Sequence, residues 1–268
     1  MKTLGLIGCG VIGSAVLNAV QNDVLDQFEI IGIFDLQTNE IIEKSKIPLV
    51  DNVEDLILLG PDLIFEAAGY MALIENGLAV VTAGIDLIPM SLAAFANEEF
   101  SNNIQNKAKE NNTTLFIPSG AIGCLDILRS SGVGGGIDRV VLSSTKKPAA
   151  LAGQPYLIEN GIEIDGLEAP LTVFEGNAAE ACISFPKSMN IAGAISLAGL
   201  GFHKTEVQLI ADPQTPRTIH RLKVSGAFGK LELTVQNFPH PDNPSTTFLA
   251  SFSAVSALKN LQGSVRFV

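Results

Sequence analysis

Short apolar runs alternate with amphipathic stretches along the first 120 residues of the chain. The apolar runs predict strands that are covered on both faces, as the strands of a parallel sheet are. The stretches between them carry apolar residues at helical spacing. Five strands are predicted at 3–7, 28–35, 63–68, 78–82 and 114–117, and two helices at 14–21 and 91–110. This order predicts an α/β domain with helices on both faces of its sheet.

The pattern changes after residue 120, where the predicted strands alternate apolar and polar residues. Such alternation indicates a sheet with one buried and one exposed face. Residues 225–229 form a short glycine-bearing connection, which predicts an antiparallel hairpin. The strands are predicted at 140–144, 206–210, 218–224 and 230–235, and a final helix at 247–261. We therefore expect an α/β domain at 1–120, an α+β domain at 121–245, and a C-terminal segment, 246–268, that packs back on the first domain.

The composition is that of a folded protein with an excess of acidic residues. The 268 residues are 47% hydrophobic and 17% charged, which excludes an intrinsically disordered chain. Lys and Arg total 17 against 28 Asp and Glu, so binding of nucleic acid through its phosphates is not expected. Segment 3–22 is uncharged, but glycines interrupt it, so we expect no membrane span. These features favour a small molecule as the partner.

The three cysteines, Cys9, Cys124 and Cys182, include no CxxC pair. Their odd number and their spacing argue against a disulfide framework and against a zinc site. We therefore expect no bound metal and a location in the reducing cytoplasm. Because no basic residue lies near Cys124 in the sequence, an inert thiol is favoured over a nucleophile there.

A glycine-rich turn with the spacing GxGxxG lies between the first predicted strand and the first predicted helix. Gly8 permits the tight turn, Gly10 leaves room for a pyrophosphate, and Gly13 allows close packing of helix on strand. Val11 and Ile12 open the helix, whose N-terminus offers unpaired N–H groups to an anion. The turn predicts dinucleotide binding by a Rossmann-type domain, and the alternative is a glycine-rich turn without a ligand.

Asp35 ends the second predicted strand, about 20 residues after the last glycine of the turn, where a carboxylate bonds the adenosine ribose hydroxyls. A carboxylate there repels a 2′-phosphate, so Asp35 favours NAD over NADP as the cofactor without excluding NADP.

Four further residues have both a functional and a structural interpretation from the sequence alone. His220 lies in an alternating strand, where a half-buried structural histidine and a catalytic one are equally compatible with the pattern. Lys147 is either a solvated charge before a turn or a substrate ligand, and Asn190 is either a helix N-cap or a ligand. Ala121 lies in the loop 118–123, which is either a plain turn or a loop that approaches the nicotinamide.

Six blocks of sequence carry a resemblance to a known family, and together they cover most of the chain. They are GLIGCGVIG at the N-terminus, IPSGAIGCLDIL at 117–128, TKKPAAL at 145–151, FEGNAAEACISFPKSMNIAGAISLAGLG at 174–201, IADPQTPRTIHRLKVSGAFG at 210–229 and NPSTTFLASFSAVSALKNL at 243–261. These blocks resemble the L-aspartate dehydrogenases of NAD biosynthesis.

The resemblance implies an oxidoreductase that oxidises L-aspartate with NAD or NADP to iminoaspartate. The product hydrolyses to oxaloacetate and ammonia or enters quinolinate synthesis. By motif match, Ala121 and Asn190 are expected to contact the cofactor, His220 to be the active-site histidine, and Lys147 of the KP motif to bind the substrate. We also expect a homo-oligomer, in its simplest form a homodimer.

Two other functions remain open at this point. Another two-domain nicotinamide-dependent reductase is the enzymatic alternative, although the paired histidines of the dihydrodipicolinate type are absent from the sequence. A protein that senses NAD without hydride chemistry is the alternative from a different class, and flat absorbance at 340 nm with aspartate and NAD would identify it.

Overall fold

The computed structural model of the chain describes residues 1–267, except for the side chain of Pro244. The last residue of the predicted segment 246–268, Val268, therefore lies outside the described residues. The chain divides into two compact units. The first comprises Met1–Ala94, Glu98–Pro118 and the chain from Ala250 onward, and the second comprises Phe95–Asn97 and Ser119–Leu249.

The first unit contains a five-stranded parallel sheet. Its strands are β1 (Lys2–Ile7), β2 (Phe28–Phe34), β3 (Leu49–Val50), β4 (Leu63–Glu66) and β5 (Asp86–Pro89), in the spatial order β3-β2-β1-β4-β5. Its helices are α1 (Val11–Gln21), α2 (Glu40–Ser45), α3 (Val53–Leu58), α4 (Tyr70–Thr82) and α5 (Glu98–Glu110). Every strand pair is parallel, and the order reverses beside β1, as in a Rossmann-type dinucleotide-binding fold.

Two predicted strands of this unit are wrong. Residues 78–82 form the end of α4, in which Leu73, Gly77 and Val80 are buried at the 3–4 residue spacing of a helix. The β-branched residues of this run had favoured a strand. Residues 114–117 are not a strand of the sheet, and their backbone pairs with it at an isolated bridge between Leu87 and Leu115. The sequence analysis missed two strands of this sheet, β3 and β5. The predicted helix 91–110 is also interrupted, since a 3-10 turn at Leu92–Ala96 precedes α5.

The second unit contains a mixed five-stranded sheet in the order β10-β9-β6-β8-β7. The strands of this unit are β6 (Arg139–Lys146), β7 (Leu171–Asn177), β8 (Thr205–Ala211), β9 (Thr218–Gly226), β10 (Gly229–Asn237), β11 (Pro239–His240) and β12 (Asn243–Thr247). Its helices are α6 (Leu125–Val133), α7 (Pro155–Glu159), α8 (Ala178–Ser184) and α9 (Asn190–Ala198). The sequence analysis predicted four of the sheet's five strands and missed β7.

The predicted hairpin is confirmed, since β9 and β10 pair antiparallel up to Gly226 and Gly229. The predicted exposed face is confirmed by the alternation in β9, where Leu222 and Val224 are buried and Arg221 and Lys223 are exposed. The sheet therefore presents one polar face and one buried face, and the buried face carries the residues considered below.

The C-terminal helix, α10 (Phe248–Gln262), matches the predicted helix 247–261. Its buried residues Ala254 and Leu258 join the apolar core of the first unit, together with Leu4, Leu6 and Phe65. No helix within residues 1–267 combines the length and the apolar character that a membrane span requires. The same residues contain no group of three or more His, Cys, Asp or Glu that could hold a metal ion.

Candidate active site

The three glycines of the glycine-rich turn lie where β1 passes into α1, and they differ in what surrounds them. Gly8 has a φ of +86°, and a Cβ there would lie 2.6 Å from the backbone nitrogen of Ala68. A Cβ on Gly13 would collide with the carbonyl oxygen of Gly8. A Cβ on Gly10 would meet nothing within 4 Å, so this glycine borders open space. The first and third glycines are thus required by packing, whereas the second leaves space for a ligand.

The N-terminus of α1 is suited to an anion. Gly10 is its N-cap and supplies no side-chain cap, and the first turn carries no acidic residue. The N–H groups of the first helical residues, Val11, Ile12 and Gly13, have no carbonyl partner within the helix. Together with the open space at Gly10, these donors fit the pyrophosphate of a dinucleotide.

Asp35 follows β2 and braces the glycine-rich turn directly. Its Oδ2 accepts a hydrogen bond of 2.6 Å from the backbone N–H of Cys9, and its Oδ1 accepts one of 2.9 Å from Gln37. The Asn39 amide donates to the carbonyl oxygen of Cys9 at 3.0 Å. The carboxylate therefore has a structural role beside the one predicted from its spacing, and Asn39 shares that role without having been singled out in the sequence.

Glu66, at the end of β4, is a fully buried carboxylate that the sequence analysis missed. Its Oε1 accepts hydrogen bonds from Ala68 N at 2.8 Å, Gly69 N at 3.0 Å and Ser91 Oγ at 2.7 Å. Burial raises the pKa of Glu66 above its usual range, and these hydrogen bonds oppose the increase. These contacts fix the loop that follows β4, and Gly8 packs against this loop. The signal in the sequence that could have identified Glu66 is a single glutamate within the otherwise apolar run 63–68.

His220 lies on the buried face of the second unit's sheet and is 2% exposed. Register places it opposite Ser144 of β6, and its Nδ1 lies 3.0 Å from Ser144 Oγ. Burial, and secondarily the charge of Lys146, lowers the pKa of His220 to about 3. The imidazole is therefore neutral near pH 7, and its orientation is set by Ser144.

Lys146 and Lys147 differ sharply although they are neighbours in sequence. Lys146 ends β6 on the same face as Ser144 and is 4% exposed, and its Nζ donates to the carbonyl oxygen of Ser188 at 3.3 Å. Lys147 lies beyond the strand, precedes a 3-10 turn at Pro148–Ala150 and is exposed. The role of Lys147 in substrate binding stays a prediction, whereas the buried cation beside His220 is Lys146.

Ala121 and Asn190 also lie in the second unit. Ala121 is buried, and its carbonyl oxygen accepts a hydrogen bond of 3.1 Å from Asn237 Nδ2. Asn190 is the first residue of α9, whose N-cap is Met189, so the alternative interpretation of Asn190 as the N-cap is wrong. The predicted site residues thus form two groups, one around the glycine-rich turn of the first unit and one in the second unit.

These features define the class of the protein, a nicotinamide-dependent oxidoreductase with a Rossmann-type domain and a second domain. Residues 8–118 match the family model described as homoserine dehydrogenase, NAD binding domain. Residues 126–261 match the model described as aspartate dehydrogenase, C-terminal. The chain belongs to the L-aspartate dehydrogenase family.

Full-length relatives bear out this assignment. The L-aspartate dehydrogenase of Methanosarcina acetivorans is 40% identical over 99% of both chains, and that of Ralstonia pickettii is 36% identical over 97% of both. The crystal structure of aspartate dehydrogenase from Thermotoga maritima covers the whole of both chains with a TM-score of 0.77 and 28% identity. The likeness therefore extends through both units.

Proposed function

We propose that this chain dehydrogenates L-aspartate to iminoaspartate with NAD or NADP, and that the product hydrolyses to oxaloacetate and ammonia or is consumed in quinolinate synthesis. The observation that carries the proposal is the buried, neutral His220 held by Ser144, in a chain that matches L-aspartate dehydrogenases over 99% of its length. A neutral imidazole is suited to accept a hydrogen bond from a substrate amine.

The first unit supplies the cofactor site in this proposal. The helix N-terminus formed by Val11, Ile12 and Gly13 binds the pyrophosphate, Gly8 and Gly10 shape the turn, and Asp35 bonds the adenosine ribose. The charge of Asp35 makes NAD the preferred cofactor and NADP the weaker one. In the second unit, Ala121 and Asn190 contact the cofactor, as the resemblance implies. When bound, the nicotinamide accepts a hydride from the α-carbon of the substrate.

His220 manages the proton that accompanies this oxidation. Loss of hydride from the α-carbon requires a neutral amine, because the nitrogen lone pair forms the new C=N bond. We assign to His220 the exchange of protons with the substrate in imine formation or in hydrolysis, and its ring is neutral near pH 7 before the substrate binds. Ser144 orients the ring through Nδ1, so Nε2 is the nitrogen available to the substrate.

We also propose a homodimer that acts in the cytoplasm. The chain exposes several large apolar side chains, among them Phe228 and Phe238, and burial of such side chains against a second copy would be favourable. The thiols of Cys9 and Cys182 are buried and unpaired, which suits a reducing compartment. Sedimentation measurements on the purified chain test the dimer.

The experiment that tests the function is an amino-acid panel with both cofactors, followed by absorbance at 340 nm. We expect reduction of NAD, and more weakly of NADP, with L-aspartate, and the reverse reaction with oxaloacetate and ammonia. Absorbance that stays flat with every substrate would favour an NAD-sensing protein. Turnover of another substrate in place of aspartate would favour a different two-domain reductase.

A further inference from the structure

Lys146 is a buried cation without an acidic partner. It is the one buried Lys or Arg within residues 1–267, and none of the salt bridges of that part of the chain includes it. Its Nζ makes one hydrogen bond, to the carbonyl oxygen of Ser188. An ammonium group carries three donor hydrogens, so two remain for other partners.

Such a lysine is costly in the folded chain. Burial lowers the pKa of Lys146 to about 8, which leaves the group largely protonated near pH 7. An isolated buried charge destabilises a fold unless an opposite charge or several hydrogen bonds compensate it. No acidic side chain of the described residues pairs with Lys146. An anionic ligand would compensate its charge.

Gln154 supplies a second, independent observation. It is 3% exposed, its Nε2 donates to Ser188 Oγ at 3.3 Å, and its Oε1 is buried without a hydrogen-bond partner in the described part of the chain. Ser188 therefore joins the two groups, because its carbonyl oxygen accepts from Lys146 and its hydroxyl oxygen accepts from Gln154. Buried polar atoms are almost always paired, so an orphaned amide oxygen, which can only accept, points to a missing donor such as an amine.

His220 fixes the relation of this cluster to the reaction. Lys146 and Ser144 are two residues apart on β6 and share the face on which His220 lies. The positive charge of Lys146 contributes to the lowered pKa of His220. A ligand at Lys146 would therefore place its remaining atoms beside the histidine.

We propose that Lys146 and Gln154 form a substrate subsite beside His220, in which Lys146 pairs with a carboxylate of the dicarboxylic substrate and Gln154 Oε1 accepts a hydrogen bond from its amine. The proposal rests on the function proposed above. The Lys146 ammonium neutralises one of the two negative charges of the substrate, and the orphaned Oε1 of Gln154 gains a donor in the substrate amine. Lys147, one residue further on and exposed, is the competing cation.

The test combines substrate kinetics with binding of succinate, a dicarboxylate that has no amine to oxidise. Lys146→Met keeps the length of the side chain and removes the charge, and Gln154→Leu removes the amide. Lys223→Met is the matched control, because Lys223 lies on β9 and is exposed on the opposite face of the sheet. Each variant is titrated with NAD alone and with succinate in saturating NAD, and the kcat and KM for aspartate are measured.

We expect Lys146→Met to raise the KM for aspartate and the Kd for succinate at least about 10-fold, the factor that corresponds to 1.4 kcal/mol. The Kd for NAD should stay within about twofold of the wild-type value. Gln154→Leu should raise the KM for aspartate by a smaller factor and leave the Kd for succinate, which has no amine, unchanged. Lys223→Met should match the wild type in every measurement.

Three results would overturn the assignment. The first is unchanged succinate binding and aspartate KM in folded Lys146→Met. The second is the expected losses in Lys147→Met but not in Lys146→Met. The third is a decrease in kcat alone, which would make Lys146 a proton-transfer group.

The wild-type protein separates this proposal from the proposed function. Succinate binding that depends on Lys146, without turnover of aspartate, would retain the subsite and refute the function. Turnover of aspartate that is insensitive to Lys146→Met would retain the function and refute the subsite.

Discussion

The glycine-rich turn of the first unit and the buried sheet face of the second are built in opposite ways. The turn is continuous in sequence and is built mainly from backbone atoms. Its glycines allow close packing, and the N–H groups at the start of α1 are available to a ligand. The sheet face gathers single side chains from β6, β9 and the loops that carry Gln154 and Ser188. In the turn the absence of side chains makes the site, whereas on the sheet face their exact identity does.

This difference determines which substitutions each region tolerates. Added side chains should damage the turn, because they fill space or collide with backbone. Removed or altered charges should damage the sheet face, because its chemistry depends on a neutral histidine and a buried ammonium. The predictions below test this contrast, beginning with the largest expected effect.

Replacement of His220 by alanine should have the largest consequence. We expect kcat for aspartate to fall by about 10²–10⁴-fold, the range typical of lost general acid–base catalysis, with the Kd for NAD unchanged. Stopped-flow kinetics and NAD titration measure the two quantities. His203→Ala, at an exposed histidine, is the control. A folded His220→Ala variant with near wild-type kcat would return His220 to a structural role.

Lys146 should give the stability of the protein a distinctive pH dependence. Its pKa is about 8 in the folded chain against 10.5 when unfolded, so the unfolded chain binds more protons between these values. The free energy of unfolding should therefore increase as the pH rises from 8 to 10.5, by about 3 kcal/mol in total. Lys146→Met should lack this increase.

Urea unfolding of both proteins at pH 7, 8.5 and 10 measures the effect. The comparison cancels other groups, including Cys182, whose pKa burial raises to about 12. Parallel pH dependences in the two proteins would show that Lys146 is not desolvated as the structure has it.

Two substitutions separate the glycines of the turn. Gly10→Val should weaken NAD binding at least about 10-fold with little change in stability, because its side chain would enter the open space that the pyrophosphate needs. Gly13→Ala should instead destabilise the fold by about 1–3 kcal/mol, because its Cβ meets the carbonyl oxygen of Gly8.

NAD titrations and urea unfolding distinguish the two effects, with Gly134→Val as the control, since a Cβ there also meets nothing within 4 Å. Undiminished affinity for NAD in Gly10→Val would remove the turn from the cofactor site.

Asp35 should give the smallest effect, a change in cofactor preference. Asp35→Asn removes the repulsion of a 2′-phosphate while it keeps an oxygen that can accept from Cys9 N–H. We expect the NADP-to-NAD ratio of kcat/KM to increase by up to about 10-fold, which corresponds to 1.4 kcal/mol. Asp35→Ser, which is too short to keep the contact with Cys9, should add a loss of stability. An unchanged ratio in both variants would mean that Asp35 serves only to brace the turn.

Much of the fold could be predicted from patterns that are local in the chain. The alternation in β9 and the glycine-bearing turn to β10 sufficed for the hairpin, and the apolar run of β1 with its glycines sufficed for the dinucleotide fingerprint. Residues 78–82 were misassigned because their β-branched residues favour a strand, while the tertiary packing of α4 buries them at helical spacing. Local preference loses wherever burial against the rest of the unit outweighs it.

By itself the sequence determined the two units' secondary-structure character, the glycine-rich turn and the family resemblance, since each is encoded by residues close together in the chain. Only the tertiary structure decided which lysine of the Lys146–Lys147 pair is buried, because side chains of a strand alternate between faces and strand register decides which face meets His220. It also decided that Ser188 joins Lys146 to Gln154, residues that are 42 and 34 positions from it in the sequence. Contacts between residues so far apart in sequence form only when the sheet and its loops fold together, so no local sequence pattern predicts them.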